Sequence, residues 1–352
     1  MFEDKEVIKV LSVDGGGIRG IIPVLLLKKI EDTTGKKIYE LFDFIAGTST
    51  GALLSIFLNK EKPASASKLL QLYEDYGQII FPPTLNDKNG LKGCLRKFFG
   101  NKSDALFKGP KYTSNGMNLV LQHLMKDMTL SQTLTPMMLT AYETEKRRPV
   151  FFTNYEKQYS HLKIKDVARA VSAAPTYFEP VKIGNGTFMD GAVCANNPAL
   201  CAYTEILKLL KNEGINPGTK KIIIVSIGTG ASNSSFDFEK SKNWSALEWI
   251  EGPLLPSFYD ANSRAVDYQM SNILPSDEYY RFQIELPNLA DVEDIDNTQK
   301  KHLQFLKNLT IKYITNDTIA LNQSGWRSRV KEICNVLSQR QFTETKQLVC
   351  GF

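Results

Sequence analysis

Gly47-Thr48-Ser49-Thr50-Gly51 places a serine between small residues, after the apolar run Phe42-Asp43-Phe44-Ile45-Ala46 and before a second apolar run, Ala52 to Leu58. Strand, sharp turn and helix, in that order, make the shape from which a serine nucleophile can project. Glycines at both ends let strand and helix approach closely, and the N-terminus of the following helix favours developing negative charge. The same five residues also fit an ordinary glycine-rich turn that packs a helix on a sheet.

Asp14-Gly15-Gly16-Gly17-Ile18-Arg19-Gly20 follows the β-branched run Val7 to Val13. Consecutive glycines after a strand expose backbone N–H groups, which suits an oxyanion hole built from Gly15, Gly16 and Gly17. Gly15, Gly17 and Gly20 also satisfy the dinucleotide fingerprint G-x-G-x-x-G. That fingerprint expects an acid at the end of the second strand. Glu40 falls near the right distance but precedes the strand, whose end is the Gly47 turn, and this weakens a nucleotide-binding module. Arg19 can orient the loop, hold a phosphate or form a surface ion pair.

Asp190-Gly191-Ala192 ends the short apolar run Phe188-Met189 and can present a carboxylate at the same sheet edge as Ser49. A bare Asp-Gly is most often a turn, so its weight comes from the combination with the other two motifs. The three histidines, His123, His161 and His302, stand in no strand-end or glycine context. Ser49, Asp190, His302 is nonetheless the chain order of an α/β-hydrolase triad, so a conventional esterase using His302 competes with a Ser49–Asp190 pair. Within Gln299-Lys-Lys-His-Leu-Gln304, His302 reads as part of an exposed helical face.

Positioning these groups requires alternating strands and helices. Strands are expected at 7–13, 42–46, 137–142, 150–152, 188–189 and 222–227, and helices from about 20 to 30, 52 to 58, 165 to 171 and 198 to 211. The alternation predicts an α/β fold with a mostly parallel sheet covered on both faces. Beyond Gly230 the periodicity weakens: 231–242 reads as loop, 279–286 as a strand, and two amphipathic helices follow.

Composition excludes several classes. Hydrophobic content of 42% and charged content of 23% fit a folded globular chain. A net charge of +5 is too small to argue for nucleic acid. Five cysteines without a Cys-x-x-Cys pair suggest free thiols and give no zinc signature. The start, MFEDKEVIKV, has no apolar signal region, and the most apolar run is too short to span a bilayer. A cytoplasmic protein that meets membrane only peripherally is expected. Leu91, Leu95, Phe98 and Phe99 share one helical face in the basic stretch Lys88 to Lys111, which would lie on an anionic surface or pack on the core.

Taken together, the Asp14–Gly20, Gly47–Gly51 and Asp190–Ala192 motifs resemble the patatin-like phospholipase family. Gly109-Pro-Lys-Tyr112, Ser172-Ala-Ala-Pro-Thr-Tyr-Phe178, Asn196-Asn-Pro198 and Ser226-Ile-Gly-Thr-Gly230 are similar to it as well. The resemblance implies a three-layer α/β/α fold and hydrolysis of ester bonds in phospholipids or other glycerolipids. It implies Ser49 as nucleophile, Asp190 as its base and the glycine loop as oxyanion hole, with Arg19, Gly47, Gly51 and Gly191 in support and no metal or organic cofactor. Residues 7–230 form the expected catalytic core and 231–352 a C-terminal extension packed on the same domain, with lid or regulatory elements as its expected content. Bacterial relatives include cyclic-nucleotide-activated phospholipases of phage defence, and the unmatched extension is where such a nucleotide sensor would sit.

Overall fold

Val7–Val13 (β1) is β-branched on both faces, the pattern of a strand buried on both sides, and it occupies the inner part of an eight-stranded sheet. The computed structural model describes residues 1–82, 109–232, 237–245, 248–249, 254–287, 292, 294–316 and 326–339. The basic stretch Lys88 to Lys111 lies almost wholly outside them.

The remaining strands are β2 (Phe44–Gly47), β3 (Met137–Glu143), β4 (Arg148–Thr153), β5 (Val181–Ile183), β6 (Gly186–Asp190), β7 (Lys221–Ile227), β8 (Ala231–Ser232), β9 (Tyr279–Phe282) and β10 (Glu285–Leu286). The sheet runs β5-β6-β3-β2-β1-β7-β9, with β4 also on β3. Pairs within β3-β2-β1-β7-β9 are parallel, and those among β3, β4, β5 and β6 are antiparallel. Strands β8 and β10 pair separately.

Alternate residues bury on opposite faces. Leu11, Val13, Ile45, Leu139 and Val225 enter one apolar cluster, and Ile8, Val10, Phe44, Met138 and Ile224 the other. Each such side chain contributes about 1.5–3 kcal/mol on burial, so neither face tolerates water. The principal helices are α1 (Ile21–Thr34), α2 (Thr50–Asn59), α3 (Ala66–Ile80), α4 (Asn115–Met125), α5 (Ile164–Val171), α6 (Ala192–Ala195), α7 (Ala199–Asn212), α8 (Leu254–Ile273), α9 (Lys300–Thr315) and α10 (Trp326–Ser338). Helices α1 to α5, α9 and α10 cover the first face, and α7 and α8 the second. The result is the three-layer α/β/α fold with a mostly parallel sheet that the sequence leads one to expect. Among the described residues no helix is long and apolar enough to cross a membrane.

Beyond residue 230 the structure departs from the sequence reading. The stretch expected as loop contains β8 and a short helix, Phe238–Ser241. The expected strand at 279–286 breaks at Gln283-Ile284 into β9, which joins the central sheet, and β10, which does not. Helix α8 was not foreseen. His302, read as surface, is only 8% exposed. It shares an inward face with Leu306 and Thr310, one and two turns further along α9, while Lys300, Lys301 and Gln304 take the outward side.

Candidate active site

Ser49 caps α2 with φ 53° and ψ −122°, a conformation costly for any residue with a Cβ. The turn closes because a Cβ on Gly47 would sit 2.5 Å from the carbonyl carbon of Gly51 and 2.6 Å from the Ala52 nitrogen. A Cβ on Gly51 would come within 2.7 Å of the Val13 carbonyl carbon. Strand and helix thus meet with no side chain between them, and the positive end of α2 lies under Ser49.

Strand β3 sets the spacing of Ser49 and Asp190. Gly47 pairs with Leu139 and Asp190 with Ala141, two residues further along the same strand. The Thr48 hydroxyl donates to the Ala195 carbonyl at 2.6 Å and accepts from Thr140 at 2.8 Å, which ties the elbow to the segment after Asp190. Gly191 packs directly on Thr140. The Asp190 N–H donates to Ala173 at 3.0 Å, bringing in the Ser172–Phe178 stretch.

Asp190 is 1% exposed. Its Oδ1 accepts the Ala192 N–H at 2.9 Å, and its buried Oδ2 has no hydrogen-bond partner among the described residues. Burial pushes the carboxyl up to about 7, although the Ser49 hydroxyl and the Ala192 N–H both favour its charged form. A carboxylate so tuned is a far better proton acceptor near neutral pH than an ordinary aspartate.

The glycine loop packs against both. Gly15 donates its N–H to the Asn196 carbonyl at 3.1 Å and accepts from the Thr229 hydroxyl at 2.6 Å. Its amide is therefore occupied. The amides of Gly16 and Gly17 have no acceptor among the described residues. Gly17 takes φ 56°, and a Cβ there would strike the Ile295 carbonyl, which also accepts from Ile18 at 2.7 Å. Asp14, at the head of the loop, is gripped by Arg281 of β9 through both carboxylate oxygens. A Cβ built on Gly15 would lie 3.2 Å from that of Ser49, so the loop faces the elbow. Arg19 lines the cavity beside the loop.

Ser49 and Asp190 open into a cavity walled by α2, α3 and α4, with Leu53, Phe57, Leu69, Leu72, Val120 and Leu121 among its lining. Beside it lies a polar cleft lined by Thr176, Ser232, Asp260, Ser263, Gln283 and Asp294. His302 lines neither. Among the described residues no group of three or more His, Cys, Asp or Glu is arranged to hold a metal ion.

Two contributors escaped the sequence reading. Arg281 carried a usable signal: a lone arginine in the strand Tyr-Tyr-Arg-Phe must find a buried acid. Tyr259 of α8, which lines the cavity and the cleft, carried none.

Residues 11–203 match the family described as patatin-like phospholipase. Patatin-like protein 1 of Arabidopsis thaliana is 30% identical, over 90% of this chain and 83% of the relative. Patatin-like protein 2 of the same plant is 29% identical over 94% and 93%, and patatin group D-2 of Solanum tuberosum 26% identical over 96% and 91%. With the family match spanning more than half of its length and the similarity reaching well past residue 230, the chain belongs to the patatin-like phospholipase family.

Proposed function

We propose that this protein is a lipid acyl hydrolase of the phospholipase A or lysophospholipase type, a serine carboxylic-ester hydrolase acting peripherally at a membrane surface. The observation that carries the reading is the meeting of a strained serine and a buried, base-tuned carboxylate at the head of an apolar cavity. The cavity walls suit an acyl chain, and the polar cleft suits the alcohol part of a glycerolipid.

In this mechanism Ser49 Oγ attacks the acyl carbonyl as its proton passes to Asp190. The oxyanion is held by the Gly16 and Gly17 amides, each such donor contributing on the order of 3 kcal/mol. The carbonyl–oxygen bond then breaks, and Asp190 returns the proton to the leaving alcohol or lysolipid. Water, deprotonated by Asp190, attacks the acyl-enzyme and releases the fatty acid and Ser49. No metal or organic cofactor enters these steps.

The test is hydrolysis of mixed phospholipid vesicles and a short-chain ester by the wild type, Ser49→Ala, Asp190→Asn and His302→Ala. Activity lost in the first two variants and kept in the third supports the pair. Loss with His302→Ala would mean a triad, and full activity of Ser49→Ala would remove the enzyme reading altogether. A wild type that is silent alone and switched on by a cyclic nucleotide would identify a gated enzyme, as in defence effectors.

A further inference from the structure

Among the described residues, the apolar cavity and the polar cleft share five lining residues: Arg19, Tyr177, Asn196, Tyr259 and Ile295. An ester whose acyl part fills the first and whose alcohol part enters the second must lay its scissile bond across this junction. Whatever hydroxyl is aimed there without a partner can meet the oxygen that departs.

Tyr259 is one of the residues that line both spaces. Its hydroxyl is buried and has no hydrogen-bond partner among the described residues. A buried hydroxyl left unpaired is costly, and such groups in native structures are commonly reserved for a ligand. The helix that carries Tyr259 is tied to the segment after Asp190. The Asn196 N–H donates to the Asn262 side chain at 2.8 Å, and Asn262 donates back to the Cys194 carbonyl at 3.1 Å. The Asn196 amide group donates to the Ser263 hydroxyl at 2.9 Å and approaches the Tyr259 carbonyl at 3.5 Å. Helix α8 is thereby stitched to α6, the helix that begins two residues after Asp190. Burial, and then the charge of Asp190, raise the phenol above its ordinary range. It keeps its proton throughout the pH range of catalysis, which makes it a donor and disqualifies it as a base.

We infer that Tyr259 is a further catalytic residue, its hydroxyl donating a hydrogen bond to the leaving alcohol oxygen as the acyl carbon–oxygen bond breaks. This rests on the hydrolase reading above. As Ser49 Oγ bonds to the acyl carbon, the electron pair of the breaking bond moves onto the leaving oxygen. That oxygen takes its proton from Asp190, the same proton that left Ser49, while Tyr259 stabilises the developing charge and retains its own.

A donor to the leaving oxygen matters in proportion to the charge that oxygen must bear. Tyr259→Phe removes only the hydroxyl, so the experiment compares two esters with one acyl chain: a glycerol ester, whose alkoxide is a poor leaving group, and a p-nitrophenyl ester, whose phenolate is a good one. Measured as kcat/KM, which reports steps through acylation, Tyr259→Phe is expected to lose about 10- to 100-fold on the glycerol ester. On the p-nitrophenyl ester it is expected to stay within about twofold of the wild type. Thermal melting of the variant confirms that α8 remains docked. An equal loss on both esters would reduce Tyr259 to a packing role, and no loss on either would remove it from the reaction; each overturns the inference. A wild type inactive on both esters, alone and with cyclic nucleotides present, would overturn the hydrolase reading, and this one with it.

Discussion

Arg281 holds Asp14 through two parallel hydrogen bonds, 2.9 Å from Nη1 to Oδ1 and 2.6 Å from Nη2 to Oδ2, with the pair 5% and 1% exposed. Nη1 also donates to Ser226 at 2.8 Å. The first residue of the glycine loop and a strand 267 positions later are thus one unit. The bidentate geometry supplies orientation as well as charge, and it fixes the strand end from which Gly15, Gly16 and Gly17 depart.

Removing the guanidinium should be severe. Arg281→Met leaves Asp14 buried and unpaired, a loss of about 3–5 kcal/mol in denaturant unfolding. Adding Asp14→Asn removes the stranded charge and should recover part of it. A loss below about 1 kcal/mol would show that water or another group satisfies Asp14.

Ser49 stores strain that a glycine would release. Ser49→Gly should raise stability by about 1–2 kcal/mol, the relief of an unfavourable conformation less the extra chain entropy of glycine. Ser49→Ala keeps the Cβ and should gain little, although both variants lose the hydroxyl. Equal stabilisation of the two would assign the effect to the hydroxyl's surroundings instead of the backbone.

Asp190 makes activity and stability respond to pH in opposite senses. As a base it must be ionised, so kcat/KM should rise with pH through about 7. Its folded pKa is raised, so between roughly pH 4 and 7 the folded state binds more protons than the unfolded one, and stability falls as pH rises through that window. Asp190→Asn removes the buried charge and should stabilise the protein at pH 8 by on the order of 4 kcal/mol, with little effect at pH 4. Melting curves at the two pH values decide it; a stabilisation independent of pH would assign the effect to packing.

Leu72 lines the apolar cavity from α3. Leu72→Trp should displace about two or three methylenes of a bound chain, at about 0.8 kcal/mol each. The ratio of long-chain to short-chain ester hydrolysis should then fall by about tenfold or more. An unchanged ratio would place the acyl chain elsewhere.

The three motifs marked out the candidate reactive residues because the chemistry they suit is local. An elbow needs glycines at fixed offsets from Ser49, and a loop of free amides needs consecutive glycines; both can be read without knowing what lies across the fold. The strands that carry them were legible for a related reason. A parallel sheet buried on both faces demands unbroken runs such as Val7–Val13 and Lys221–Ile227, which no surface segment resembles.

What the sequence alone determined is therefore the central sheet, the order of its motifs and the identity of Ser49 and Asp190 as a pair worth testing. The tertiary structure decided the rest. Which amides in the loop stay open depended on Asn196 taking that of Gly15, and the burial that tunes Asp190 depended on layers packed from distant segments. Arg281 and Tyr259 belong to a C-terminal region that meets the site only after the chain has crossed the sheet again, and the inward turn of His302, away from the site, was likewise set by packing. Partners separated by that much chain leave no spacing to read, because their proximity is set by packing and not by neighbouring residues.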